Sequence, residues 1–92
     1  MKLFVGLGNP GKEYQKNRHN IGFMLAEYLV KKMSPETGFN LTSRFAANLA
    51  EFSIGNDKYL FAEPQSYMNR SGEAVVRLAQ FYKVKPADIF VA

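Results

Sequence analysis

Apolar and polar positions change period several times along this chain, and each change predicts an element. Leu3-Phe4-Val5-Gly6-Leu7 is a continuous apolar run of strand length, which reads as a short buried β-strand. Gly8-Asn9-Pro10-Gly11 breaks it with turn chemistry. Glycine permits positive φ, and proline fixes φ while removing a donor. Residues 12–19 are polar and aperiodic, so they read as a loop. From Asn20 the period becomes 3.6. Ile21, Met24, Leu25, Tyr28 and Leu29 fall on one face, which predicts a helix buried on that side, with Glu27, Lys31 and Lys32 off it. Asn20 suits the N-cap, Lys31 and Lys32 suit the negative C-terminal end, and Ser34-Pro35-Glu36-Thr37-Gly38 stops the helix.

Residues 39–48 carry no clear period. Ala50, Phe52 and Ile54 then alternate with Glu51 and Ser53, as in a half-exposed strand. Gly55-Asn56-Asp57 turns the chain, Lys58 to Ala62 returns as the antiparallel partner, and Pro64 ends it. A second helix is predicted over 71–82, burying Val75, Leu78, Ala79 and Tyr82, with Gly72 placed for a close backbone approach. After Pro86, Ile89-Phe90-Val91-Ala92 opens another apolar strand. The order β-α-β-β-α-β predicts an α/β protein with a sheet of mixed direction.

Composition narrows the class. Ninety-two residues with 47% hydrophobic content make at most one small, well-cored domain. The chain has no cysteine, so it carries neither disulfides nor thiolate metal sites, in keeping with a reducing compartment. It has no apolar run of bilayer-spanning length, and its N-terminus is broken by glycine too soon for a signal peptide. These features lead to the expectation of a cytoplasmic protein with no membrane association. The net charge of +4 fits a phosphate-rich partner as well as an ordinary solvated surface. Lys12, Lys16 and Arg18 cluster in the first loop, and Arg70, Arg77, Lys83 and Lys85 lie on or beside the second helix.

Candidate chemistry concentrates in two stretches. Gly6-Leu7-Gly8-Asn9-Pro10-Gly11 has the spacing of a dinucleotide-binding fingerprint, but that motif must open directly into a helix that holds the pyrophosphate. Here Pro10 and a polar loop intervene, so the glycines read as a turn projecting Asn9. The only histidine, His19, sits where that loop meets the helix. It can be a surface residue at a helix start or a general base, since its ordinary pKa lies near neutrality. A metal role is disfavoured, because no second histidine or cysteine shares the ion. In the second stretch, Pro64 to Gly72, Asn69 or Ser71 can cap the helix. The same residues can instead form a pocket wall. Asn69 could then orient a carbonyl and a water together, with Tyr67 as a stacking face and Arg70 as a phosphate contact. Tyr14 among Lys12, Lys16 and Arg18 is either surface cover or a nucleic-acid platform.

Taken together, Val5-Gly6-Leu7-Gly8-Asn9-Pro10-Gly11, Tyr14 with Arg18-His19-Asn20 and Gly22, and Tyr67-Met68-Asn69 with Ser71-Gly72 resemble bacterial peptidyl-tRNA hydrolase. The likeness runs over essentially the whole chain, as the N-terminal half of a protein about twice as long. Asn17 departs from the threonine usual in that family and changes little. The resemblance implies a mixed-sheet, three-layer α/β fold, here incomplete, with residues 1–92 as the N-terminal part of one domain. It implies hydrolysis of the ester joining peptide to tRNA, which releases tRNA for reuse in translation. His19 would be the general base, Asn9 would contact the peptide side, and Asn69 would bind and orient substrate. Tyr14 and Tyr67 would contact the terminal nucleotides, with Asn20 and Met68 in support. No metal or organic cofactor is implied, and the complete protein would be a monomer. The alternative within the same fold is a non-catalytic RNA-binding relative.

In that family a His-Asp pair follows the strand corresponding to Phe90-Val91-Ala92, and its aspartate orients the catalytic histidine. The 92 residues do not contain it. The expectation is therefore weak or no activity for this stretch alone.

Overall fold

A computed structural model describes residues 1–8, 21–65 and 71–92. Strand β1 (Lys2–Val5) is followed by helix α1 (Ile21–Met33), strand β2 (Asn40–Thr42), strand β3 (Ala47–Ile54) and strand β4 (Asp57–Pro64). Helix α2 (Ser71–Tyr82) and strand β5 (Ile89–Val91) complete the order, with single 3₁₀ turns at Ser43–Phe45 and Pro86–Asp88. The described strands form one sheet in the order β2-β3-β4-β1-β5. β2, β3 and β4 pair antiparallel, whereas β1 runs parallel to both β4 and β5. The sheet is therefore mixed, as the element order predicted, with β2 arising from the stretch that carried no period.

Alternation along the strands divides the core in two. Leu3, Val5, Leu49, Leu60 and Ala62 pack with Leu78 of α2 and with Phe45 and Val84. Their neighbours in sequence, Phe4, Ala50 and Phe61, turn the other way and pack with Ala26 and Val30 of α1. One helix thus covers each face, giving the expected three layers. β1 lies between β4 and β5, and Leu3 and Val5 are fully buried. Phe61 stacks on Phe4 at 5.1 Å and on Phe52 at 5.7 Å between ring centroids, which builds the α1 side largely from aromatic faces.

Several boundaries and faces differ from the sequence expectation. α1 does not bury Ile21, Met24, Leu25 and Tyr28, which are exposed. It buries Gly22, Ala26 and Val30, with Leu29 and Met33 half-buried behind them. The reason is proximity. A Cβ on Gly6 would lie 2.8 Å from the carbonyl carbon of Gly22 and 3.0 Å from Cβ of Ala26, so only small residues fit between α1 and β1. At Gly72 a Cβ would meet nothing within 4 Å among the described residues, so they show no close approach there. β4 runs past Ala62 and ends at Pro64, which lies opposite Ala47 and is fully buried. β3 begins at Ala47 rather than Ala50. β5 pairs with β1 alone among the described strands, and its Phe90 and Val91 are exposed.

Candidate functional site

β1, β4 and β5 run parallel, so their carboxyl ends share one edge of the sheet. That edge is tied together beyond the strands themselves. Gly6 N donates to Ala62 O (2.9 Å), Leu7 N to Ala92 O (2.8 Å), and Ala92 N to Val5 O (2.9 Å). α1 starts against the same edge, where a Cβ on Gly22 would collide with the backbone of Leu7 and with Ala92 O. Three strand ends and one helix start therefore meet within a single shell of backbone contact. In α/β proteins the segments leaving the carboxyl ends of strands are where ligands bind.

The candidate residues belong to the two segments rooted here. Residues 9–20 join Gly8, just past β1, to Ile21, the first residue of α1. They hold Asn9, Tyr14, His19 and Asn20. Residues 66–70 join Gln65, just past β4, to Ser71, the first residue of α2. They hold Tyr67, Met68 and Asn69. All seven lie outside the described residues, and what the structure defines is the frame from which both segments depart. Gln65 is itself held, with its backbone N donating to Ala46 O at 2.7 Å and its Nε2 to Glu63 O at 3.0 Å. Among the described residues α1 runs from Ile21, ten positions after Gly11, and residues 9–20 lie outside them.

One ionisable residue at this edge went unnoticed in the sequence. Glu63, second to last in β4, is 3% exposed, and its Oε2 is buried without a hydrogen-bond partner among the described residues. Burial, reinforced by a hydrogen bond to Glu27 of α1 and by the charge of that residue, pushes its pKa up to about 9. A hydrogen bond to Asn48 acts in the opposite direction. The signal was present in the alternation Tyr59, Phe61, Glu63, which puts the carboxyl on the aromatic face. Ending the strand at Ala62 hid it. Among the described residues, no group of three or more His, Cys, Asp or Glu side chains could hold a metal ion. Among them, too, no helix is long and apolar enough to cross a membrane.

The frame, a mixed α/β sheet whose parallel carboxyl edge carries two polar segments, places the chain among α/β proteins that work at strand ends. Comparison with known proteins makes this specific. The family model for peptidyl-tRNA hydrolase matches residues 3–92, and the chain belongs to that family. A peptidyl-tRNA hydrolase of Rhodopirellula baltica is 48% identical over 91 residues, covering 99% of this chain and 46% of the relative. One from Desulforamulus reducens is 47% identical over 91 residues, covering 99% and 43%. A crystal structure of peptidyl-tRNA hydrolase from Acinetobacter baumannii superposes with a TM-score of 0.90 at 36% identity, over 99% of this chain and 45% of that one. The chain thus spans less than half the length of the relatives it matches.

Proposed function

We propose that this chain is part of an enzyme that hydrolyses the ester between peptide and tRNA, with residues 1–92 forming the N-terminal part of a single domain. The observation that carries this reading is the shared edge. The segment with Asn9, Tyr14 and His19 and the segment with Tyr67 and Asn69 depart from the neighbouring parallel strands β1 and β4. Family membership over residues 3–92 supports the same assignment.

An ester linked to a ribose is activated enough to be cleaved by water, provided a base takes the proton and donors steady the developing oxyanion. His19 is the base in this reading. In sequence it lies two positions before Ile21, the first residue of α1, and the positive end of a helix favours neutral imidazole, the form that accepts a proton. Asn69 holds the substrate carbonyl and water, Asn9 reads the peptide side, and Tyr14 and Tyr67 stack on the tRNA end, with Asn20 and Met68 supporting them. The basic residues Lys12, Lys16, Arg18 and Arg70 in these segments complement phosphates. The reaction needs no cofactor, and the complete protein works as a cytoplasmic monomer.

The test measures tRNA binding and ester cleavage separately on the full-length protein. Cleavage of peptidyl-tRNA with multiple turnovers supports the reading. Binding without turnover favours a non-catalytic RNA-binding protein of the same fold.

A further inference from the structure

The basic residues of the proposed site are Lys12, Lys16, Arg18 and Arg70. Four others, Arg44, Arg77, Lys83 and Lys85, lie on or beside the second half of α2, and all four are exposed. Arg44 sits over the ring of Phe81, its guanidinium carbon 5.0 Å from the ring centre. Phe81 is the last residue but one of α2 and is 53% exposed. Two further rings brace it. Phe45 meets it edge-on at 5.3 Å and Tyr82 at 5.0 Å between ring centres. Phe45 in turn belongs to the core that contains Leu3, Leu60 and Leu78. Arg44 is thus carried on an aromatic ledge anchored in the core. A guanidinium over a ring keeps its N–H donors at its own edge, where they can fork onto an anion.

The ledge stands at the carboxyl end of β4. Arg44 belongs to the 3₁₀ turn Ser43–Phe45 between β2 and β3, and β3 begins at Ala47, opposite Pro64. Ala46 closes that turn in the left-handed region, its N donating to Ser43 O at 3.1 Å. Its own O accepts from Gln65 N at 2.7 Å. Gln65 leads into the segment of Tyr67 and Asn69, so Arg44 is fixed two residues from the carbonyl that roots that segment. Arg77 precedes Phe81 by four positions, on the same face of α2. The acidic residues nearby are Glu73, one turn before Arg77, and Glu51 of β3, which acts with Arg44 on the Tyr82 hydroxyl. Basic residues therefore outnumber acidic ones here, which suits a polyanion. RNA suits it better than an acidic peptide, because its bases also stack on exposed rings and the ledge borders the segment assigned to tRNA.

We propose that Arg44, held on Phe81 and assisted by Arg77, is a further tRNA contact that binds backbone phosphate inward of the nucleotides taken by Tyr14 and Tyr67. Arg44 grips the phosphate through its N–H edge. Phe81 fixes the guanidinium plane beforehand, so less freedom is lost on binding. Phosphate contacts position an RNA and carry no base sequence. The ledge therefore sets affinity for tRNA and leaves the cleavage step to the two segments. This assignment deepens the function proposed above and rests on that reading.

Titration of the full-length protein with deacylated tRNA, from about 50 to about 200 mM salt, tests the contact. Arg44→Gln should weaken binding about tenfold at low salt. It should also flatten the slope of log affinity against log salt by about one, as for one lost phosphate contact. Single-turnover cleavage of peptidyl-tRNA at saturating enzyme should stay within about twofold of native, with the loss confined to half-saturation. Arg44→Lys keeps the charge without the planar fork, so it should restore the slope and only part of the affinity. Phe81→Leu keeps the apolar cover and removes the ring, and should weaken binding about two- to fivefold. Lys32→Gln removes an exposed basic residue from α1, across the sheet, and should leave the slope unchanged. A native affinity and slope in Arg44→Gln, or an equal loss in Lys32→Gln, would overturn the contact. So would polyglutamate binding as tightly as tRNA with the same loss in Arg44→Gln, which would give the surface to an acidic protein. A native protein that binds tRNA without cleaving its ester would defeat the hydrolase reading and leave the contact to be judged by the slope. Intact cleavage with an indifferent Arg44→Gln would defeat the contact alone.

Discussion

Gly6 and Gly22 touch through their backbones across the seam between β1 and α1, with the carbonyl of Gly22 standing where a side chain of Gly6 would be. Neither residue is needed there for an unusual φ. Each is needed because the other element is so near. This contact draws the start of α1 onto the ends of β1 and β5.

Adding one methyl group at either position therefore forces helix and sheet apart. Gly6→Ala and Gly22→Ala should each destabilise the protein by about 1–3 kcal/mol, the range for overpacking a tight site. Gly72→Ala is the internal control. Among the described residues its Cβ meets nothing within 4 Å, so it should be neutral or stabilising by up to about 1 kcal/mol. Urea unfolding of the three variants checks the order. Equal effects at all three positions would contradict the close approach.

Lys83 ends α2 in the left-handed region, at φ 56°, with Val84 N bonded back to Ala79 O at 2.9 Å. A side chain there strains the backbone, and glycine does not. Lys83→Gly should raise stability by about 0.5–1 kcal/mol in the same unfolding assay. Gly55, in the β3–β4 turn, is also left-handed at φ 61° and should lose stability when changed to valine.

Glu63 sets a pH dependence whose sign follows from its raised pKa. The folded state holds the carboxyl proton up to about pH 9, while the unfolded chain releases it near 4.5. Between these values the folded state binds more protons, so this group's contribution falls as pH rises. Subtracting the stability of the native sequence from that of Glu63→Gln isolates it. The difference should grow in favour of the variant between pH 5 and 9, by up to about 1.4 kcal/mol per pH unit. A difference independent of pH would mean that Glu63 titrates as an ordinary carboxylate.

The sequence yielded its elements more readily than their faces. Period and turn chemistry located both helices and the β3–β4 hairpin, because Gly55-Asn56-Asp57 and the 3.6-residue stripe of α2 are local signals. The face of α1 was misread because side-chain size was taken as a guide to burial. Close packing on Gly6 selects small residues, and a single sequence does not reveal what lies across a seam. β2 is three residues long and exists through pairing with β3, which a local period does not register. Glu63 was hidden by ending the strand at Ala62, two residues short of Pro64, although a proline at a strand's last position forfeits little pairing. The candidate site was legible as motifs alone. Asn9, Tyr14, His19, Asn20, Tyr67, Met68 and Asn69 all fall outside the described residues, so their roles rest on chemistry and family membership.

The most direct test of the central claim is single-turnover cleavage of peptidyl-tRNA by the full-length protein carrying His19→Ala. Loss of the base should lower the rate by about 10²–10⁴-fold while tRNA binding stays within a few-fold of the native value. An unchanged cleavage rate would contradict the assignment of His19 as the base.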